Sequence, residues 1–272
     1  FYRLGDFYEM FFDDALKASK ILGITLTGRD CGEAERAPMC GVPYHSCDGY
    51  IAKLVKAGCK VAVCEQVEDP KAAKGLVKRD VVRVITPGTV VDHTVLDETK
   101  NNYILSVYSS NSGYGIAVCD VTTGEFQTTE FGSVQAAAKI LDETARFSPA
   151  ELICNGEFLG SPLAKEIEQR FRLYLNDIDS RMYDYNTAKD ALQNHFKVKT
   201  LEGFGLKKKL LATAASGALM WYLNETQKND LSHISSLKYY TTGDFMLLDV
   251  SSRRNLELTE TLRGKEKKGS LL

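Results

Sequence analysis

The chain has 272 residues and a formal net charge of −2, and 44% of its residues are hydrophobic while 26% are charged. This balance excludes a disordered, collagen-like or coiled-coil protein, and the length predicts two domains, or two and a fragment of another. No apolar run approaches the roughly 20 residues of a membrane span, and nothing at the start resembles a secretory signal, so we expect no membrane partner. Because Phe1 already lies inside an apparent strand, we expect a piece of a longer protein.

The first 90 residues alternate helical and extended patterns. Apolar residues at helical spacing predict one helix over Asp13–Leu22, which Gly23 ends, and a second helix through Val55. The segments predicted as strands are Phe1–Leu4, Ile24–Thr27, Lys60–Val67 and Val81–Ile85. These elements indicate a small mixed α/β domain over residues 1–90, followed by a polar linker over 91–102.

A second α/β domain is predicted over residues 103–237, opening with a meander whose last turn is Thr122-Thr123-Gly124. Its predicted strands are Tyr103–Tyr108, Tyr114–Val121, Glu125–Thr129 and Glu151–Cys154, and its predicted helices are Val134–Leu141, Leu163–Phe171 and Leu210–Leu223. The pattern then changes over residues 238–272, where Phe245–Val250 precedes a helix beginning over Arg253–Arg263. We interpret this stretch as the start of a third, helical domain.

Seven cysteines raise the question of a metal site, since five of them fall within residues 31–64. The closest pair there, Cys59 and Cys64, is separated by four residues with the pattern of a strand rather than a zinc knuckle. An odd number of cysteines without a secretory signal is typical of reduced thiols in a cytosolic protein. We therefore predict small packed thiols and no metal site.

Motifs for nucleotide binding and nucleophilic catalysis are missing from the sequence. It contains no phosphate-binding G-x-x-x-x-G-K-[ST], no G-x-G-x-x-G after a strand and no G-x-S-x-G elbow. Asp120, at the end of a predicted strand, is a candidate first acid of a two-metal nuclease, with Glu143 and Asp177 as candidate partners. We predict no catalytic residue and no cofactor, and keep a metal-dependent nuclease built on the second domain as an alternative.

An aromatic-rich segment near the start reads Gly5-Asp6-Phe7-Tyr8-Glu9-Met10-Phe11-Phe12. Tyr8, Phe11 and Phe12 suit a hydrophobic core. If the segment is extended, Phe7 and Glu9 share the side opposite Tyr8 and are both exposed. An exposed ring beside an exposed carboxylate has no packing role of its own. It suits DNA, because an apolar ring can enter a base step while a polar neighbour reads the displaced base.

The run Gly5-Asp6-Phe7-Tyr8-Glu9 resembles the Phe-x-Glu mismatch-reading motif of the MutS family of DNA mismatch-repair proteins. Further blocks match that family in the same order: Asp13-Asp14-Ala15, PMCGVPYH over 38–45, Cys64-Glu65-Gln66, RVITPGT over 83–89 and RRNLEL over 253–258. The resemblance implies a mismatch-binding domain over 1–90, a ribonuclease-H-like connector domain over 103–237 and the start of a helical core or lever domain over 238–272.

By this resemblance, Phe7 stacks on the mispaired base and Glu9 hydrogen-bonds the base that Phe7 displaces. The residues that match family positions at or near DNA are Phe7, Glu9, Arg29, Met39, Lys78 and Arg79. The cations among them would contact phosphate, and Met39 would pack against the groove. Lys71 and Lys74 are weaker candidates. The implied partners are double-stranded DNA with mismatches or small loops, and MutL.

The family's clamp and ATPase domains, which bind ATP and Mg²⁺ and form most of the homodimer interface, have no counterpart in this sequence. We therefore expect a monomeric chain without a cofactor, from a protein of the bacterial cytoplasm associated with the nucleoid. The resemblance also implies that the connector relays the mismatch signal to the ATPase. An alternative is a MutS-like paralogue that acts on other DNA structures, although such relatives generally lack the mismatch domain.

Overall fold

A computed structural model describes residues 1–32, 35–68, 77–90, 101–134, 136–228, 231–244, 248, 250–258, 261–263 and 269–271. The chain divides into two compact units, residues 1–102 with 222–233 and residues 103–221 with 234–272. The predicted linker up to residue 100, and the candidates Lys71 and Lys74, lie outside the described residues. Within the described ranges, none of the helices combines the length and hydropathy of a membrane span.

The first unit is built on a six-stranded sheet whose order is β3-β4-β2-β1-β5-β6. The strands are β1 (Tyr2–Leu4), β2 (Phe7–Phe11), β3 (Thr27–Arg29), β4 (Ala37–Pro43), β5 (Val61–Gln66) and β6 (Arg79–Ile85). Neighbours are antiparallel except for β1 and β5, which are parallel. The helices α1 (Phe12–Leu22) and α2 (Cys47–Lys56) supply the core with Ala15, Ala18, Leu22, Ile51, Leu54 and Val55.

The ends of both helices follow the sequence signals. Gly23 ends α1 in the left-handed conformation at φ +67, and its N–H donates to the carbonyl of Ser19. After α2, Gly58 adopts φ +78 and its N–H donates to the carbonyl of Val55. Glycine takes this conformation without the steric cost that a Cβ imposes. Both predicted helices are confirmed.

Two strands of this sheet differ from the prediction. The strand expected at Ile24–Thr27 begins instead at Thr27, because the N–H of Ile24 still donates to Ser19 in the helix cap. Strand β4 was not predicted at all. It contains Pro38, Gly41 and Pro43, residue types that are depleted in strands and read as turns.

The second unit contains a six-stranded sheet in the order β11-β10-β7-β8-β9-β12. Its strands are β7 (Tyr103–Ser110), β8 (Gly113–Asp120), β9 (Glu125–Phe131), β10 (Glu151–Cys154), β11 (Leu175–Asp177) and β12 (Lys238–Tyr239). The helices are α3 (Ala136–Phe147), α4 (Gly156–Leu159), α5 (Pro162–Phe171), α6 (Tyr185–Phe196), α7 (Leu210–Gln227) and α8 (Val250–Asn255). The predicted meander β7–β8–β9 is antiparallel, while β10 runs parallel to β7 and β11 parallel to β10. The predicted α/β fold class is confirmed, and both sheets contain parallel as well as antiparallel neighbours.

Helix α6 was missed, and the helix expected over Arg253–Arg263 has different bounds. In α6 only Ala188 and Leu192 are buried, so its apolar face is too narrow to dominate the sequence pattern. Helix α8 already ends at Asn255, because Glu257 adopts the left-handed conformation at φ +48. Of the segment predicted before it, residues 245–247 and 249 lie outside the described residues.

Helix α7 packs closely on α6 at Gly217, and this contact provides a test of the second unit. A Cβ at Gly217 would lie 2.3 Å from the Cα of Ala188, so Gly217→Ala should lower the free energy of unfolding by about 1–3 kcal/mol. Gly203→Ala is the matched control, since no atom lies within 4 Å of its added Cβ. Urea titrations followed by the fluorescence of Trp221, the single tryptophan, measure the stability of both variants. Equal unfolding midpoints for Gly217→Ala and Gly203→Ala would contradict the close packing of α7 on α6.

Candidate nucleic-acid interface

The side of the first sheet away from α1 and α2 carries the residues of the aromatic segment that do not enter the core. Along β2 the side chains alternate, so that Tyr8 and Met10 are 5% and 6% exposed while Phe7 is 48% exposed. This alternation confirms the prediction that Phe7 lies opposite Tyr8. We call the surface on this side of the sheet the open face. It consists of Phe7, Glu9 and Phe11 of β2, Met39 and Gly41 of β4, and Thr27 and Arg29 of β3.

Two aromatic residues are placed differently from the prediction of a core role. Phe11 belongs to the open face and is only partly buried, while Phe12 is 62% exposed. The reason is the direct passage from β2 into α1 without a loop. Phe12 makes that turn with a left-handed backbone, φ +53, which carries its ring out of the core.

Glu9 is not the freely exposed carboxylate that the sequence predicted. Its side chain is 17% exposed, and its Oε2 accepts a hydrogen bond from Nη1 of Arg29 at 2.6 Å. The guanidinium of Arg29 also lies 5.9 Å from the ring centroid of Phe11. The sequence separates the two charges by 20 positions, but strand pairing brings them together on the open face.

Gly41 on β4 pairs with Glu9 and lies next to the side chains of Phe7 and Glu9. A Cβ at Gly41 would lie 3.6 Å from Cγ of Glu9 and 3.9 Å from Cδ1 of Phe7. Both distances are ordinary van der Waals contacts, so the side chains of Phe7 and Glu9 lie next to Gly41, and the tighter contact of an added Cβ, 3.3 Å, is with the carbonyl oxygen of Tyr8. Met39, two residues earlier, pairs with Phe11 and is partly buried. The structure thus assembles Phe7, Glu9, Arg29 and Met39 on one surface.

Lys78 and Arg79 belong to the opposite edge of the sheet, since β1 and β5 separate β6 from β2. Lys78 is exposed, whereas Arg79 is occupied by internal contacts. Its Nε donates to the carbonyl of Arg3 at 3.0 Å, and its guanidinium lies 5.3 Å from the ring of Tyr2. Arg79 thus ties the edge of the sheet to β1.

A cation–π contact and two hydrogen bonds stabilise the turn before Phe7, and the sequence alone did not predict them. The guanidinium of Arg3 stacks 3.5 Å from the ring centroid of Tyr44, and the N–H of Tyr44 donates to the carbonyl of Asp6. The hydroxyl of Tyr8 donates to Glu65, and burial together with this bond raises the pKa of Tyr8. These contacts hold both sides of β2 at the point where Phe7 emerges.

Two of the three carboxylates considered for a nuclease, Asp120 and Glu143, have structural partners. Asp120 is fully buried, and its Oδ1 accepts from the N–H and the hydroxyl of Thr122 at 2.8 and 2.6 Å. Glu143 is also buried, which raises its pKa, and it accepts from the hydroxyl of Tyr240 at 2.6 Å. In the described part of the chain, no three His, Cys, Asp or Glu residues form a group that could hold a metal ion.

All seven cysteines are free thiols, in agreement with the predicted absence of disulfides. Cys40, Cys119 and Cys154 are buried as expected, and burial raises the pKa of Cys154 to about 12. Cys31, by contrast, is exposed. The prediction of packed thiols therefore fails at that position.

Comparison with known proteins assigns the chain to a family. The model of MutS domain I matches residues 1–94, and that of MutS domain II matches residues 102–235. The chain belongs to the MutS family. It is 55% identical over 273 aligned residues to the DNA mismatch repair protein MutS of Ruminiclostridium cellulolyticum, covering 100% of this chain and 31% of that protein. The MutS proteins of Acetivibrio thermocellus and Caldanaerobacter subterraneus are 52% and 48% identical, again over 100% of the chain and 31% of each protein.

This family member spans about a third of the length of the curated relatives it matches. The part matched by MutS domain I contains the whole open face together with Lys78 and Arg79. The part matched by MutS domain II contains Asp120 and Glu143.

The buried contacts of Asp120 provide a test of its role. Asp120→Ala removes the acceptor of two hydrogen bonds in the turn after β8, so we expect the free energy of unfolding to fall by about 1–3 kcal/mol. Affinity for DNA and the background level of DNA cleavage in Mg²⁺ should not change. Loss of a metal-dependent nuclease activity in this variant, with its stability unchanged, would assign Asp120 to catalysis instead.

Proposed function

We propose that this chain is the mismatch-recognition and connector part of a MutS DNA mismatch-repair protein. The observation that carries the proposal is the exposed ring of Phe7 beside the carboxylate of Glu9 on the open face of the unit matched by MutS domain I. Full-length relatives of this kind carry the name DNA mismatch repair protein MutS. The substrate is double-stranded DNA that contains a mismatch or a small loop.

Phe7 is the wedge in this mechanism. Its ring enters the base stack from the minor groove and stacks on the mispaired base. Selectivity arises in the DNA, since a mispaired step costs less to unstack and bend than a Watson–Crick step. Support comes from the 48% exposure of a large apolar ring on a strand whose neighbouring residues Tyr8 and Met10 are anchored in the core.

Glu9 reads the displaced base and rejects matched DNA. Its carboxylate accepts a hydrogen bond from a base N–H, such as N3–H of a displaced thymine. On matched duplex the base offers no such donor, and the negative charge of Glu9 repels the phosphates. Glu9 therefore contributes to discrimination more than to affinity.

Cations at the β6 edge of the same sheet supply sequence-independent attraction. The exposed Lys78 is the clearest candidate for a phosphate contact, while Arg79 supports the edge of the sheet by donating to Arg3 and Val77 and reaches DNA with its remaining N–H donors. Met39 packs against the sugar edge of the groove. Such contacts fix the position of the protein on the duplex without specifying a base.

The second unit is proposed as the connector. It relays the mismatch signal to the ATPase domain of the full-length protein, where ATP and Mg²⁺ bind, and it contacts MutL. Dimerisation, like ATP hydrolysis, is assigned to the longer protein. In the cell this protein works in the bacterial cytoplasm on the nucleoid.

The wedge is tested by Phe7→Ala in the full-length protein. Because stacking of a base on an aromatic ring contributes roughly 1–3 kcal/mol, affinity for a G·T duplex should fall by about one to two decades, and affinity for matched duplex much less. Phe12→Ala is the matched control, since Phe12 is also a well-exposed phenylalanine, at 62% against 48% for Phe7, but lies off the open face. Equal effects of the two substitutions on G·T binding would exclude Phe7 as the wedge.

The rejecting role of Glu9 is tested by Glu9→Gln in the same titrations, at one stated salt concentration. Removing the charge should raise affinity for matched duplex and leave G·T affinity nearly unchanged. Asp13→Asn, at an exposed position on the first turn of α1, controls for the general effect of one lost negative charge. Unchanged or weaker binding of Glu9→Gln to matched duplex would show that Glu9 does not repel DNA.

A further inference from the structure

We propose that Arg29 is the positioning residue of Glu9, holding one carboxylate oxygen so that the other faces the displaced base. This inference rests on the proposed role of Glu9 as the reader of that base. It assigns the charge of Arg29 to its partner on the open face, rather than to a phosphate of the DNA.

The geometry of the pair is that of a strong, oriented contact. Nη1 of Arg29 lies 2.6 Å from Oε2 of Glu9, a short distance typical of a charge-assisted hydrogen bond. In the described part of the chain, Oε1 of Glu9 accepts no hydrogen bond, so one acceptor is held and the other is available. Glu9 is also the more buried partner, with a side chain 17% exposed against 48% for Arg29.

The sheet places the two residues so that only a long side chain joins them. β3 is the edge strand and β4 separates it from β2, so Arg29 reaches Glu9 across β4. Gly41 presents no side chain next to Glu9, and the ring of Phe11 lies 5.9 Å from the guanidinium that passes beside it. The path of Arg29 is therefore defined by residues of the same face.

Pairing has a consequence for binding that differs from a phosphate contact. A cation that contacts phosphate strengthens binding to every duplex and contributes to the salt dependence of affinity. A cation that orients Glu9 changes the ratio of mismatch to matched affinity. This effect on the ratio requires a carboxylate at position 9, so it should disappear when Glu9 is replaced by Gln. The ratio therefore separates the two roles, since any general electrostatic effect cancels in it.

The test is a double-mutant cycle in the full-length protein, with matched and G·T duplexes titrated at several salt concentrations. Arg29→Gln should lower the affinity ratio by about three- to tenfold when Glu9 is present and leave it unchanged in the Glu9→Gln background. Arg29→Lys keeps the charge but loses the planar fork of donors, so it should restore general affinity without restoring the ratio. Lys78→Gln is the control: it should weaken both complexes and reduce the salt slope by about 1, with no change in the ratio.

The outcomes distinguish this inference from the function on which it rests. If Glu9→Gln alone leaves the ratio unchanged, base reading by Glu9 is wrong and the role of Arg29 falls with it. Suppose instead that Glu9→Gln changes the ratio, but Arg29→Gln behaves like Lys78→Gln or alters the ratio equally with Glu9 and with Gln at position 9. Glu9 then still reads the base, but Arg29 does not position it. Urea titration of Arg29→Gln checks the fold, and a large loss of stability would make Arg29 a structural residue instead.

Discussion

The alternation of side chains along β2 is the constraint from which the rest of the candidate site follows. Successive residues of a strand face opposite sides of a sheet, so a segment with apolar residues at Tyr8 and Met10 must present Phe7 and Glu9 on the other side. The helices α1 and α2 cover only the Tyr8 side. A shift of register by one residue would bury Glu9 and expose Tyr8, which the core packing resists. The core thereby holds Phe7 in an exposed position that its own hydrophobicity opposes.

Charge on this molecule is organised in local pairs. With a net charge of −2, the chain as a whole is not a polycation, and several arginines of the first unit are engaged in contacts within the protein. Arg29 is paired with Glu9, Arg3 stacks on Tyr44, and Arg79 donates to a backbone carbonyl. Under the proposed function, these engaged arginines make the first unit better suited to discriminating between DNA structures than to holding DNA tightly.

The second unit illustrates how polar residues that resemble catalytic groups serve the fold. Asp120 accepts two hydrogen bonds in the turn after β8, and buried Glu143 is bonded to Tyr240 just beyond β12. In the same unit, the absence of a side chain at Gly217 allows α6 and α7 to pack closely. A carboxylate at the end of a strand thus has a structural explanation here that a sequence pattern cannot distinguish from a metal ligand. Only the hydrogen-bond partners separate the two possibilities.

The sequence by itself determined the elements with strong periodicity and clear ends. These are α1 and α2 with their glycine stops, the meander β7–β8–β9, and the family to which the chain belongs, because these features depend on local spacing and short motifs. It also indicated that Phe7 and Glu9 share one side of a strand. Tertiary structure alone decided that β4, with its prolines and glycine, lies beside β2, that Phe12 turns out of the core, and that Arg29 reaches Glu9. Those outcomes depend on which distant strands pair and in which register, and local propensity carries no information about the partner.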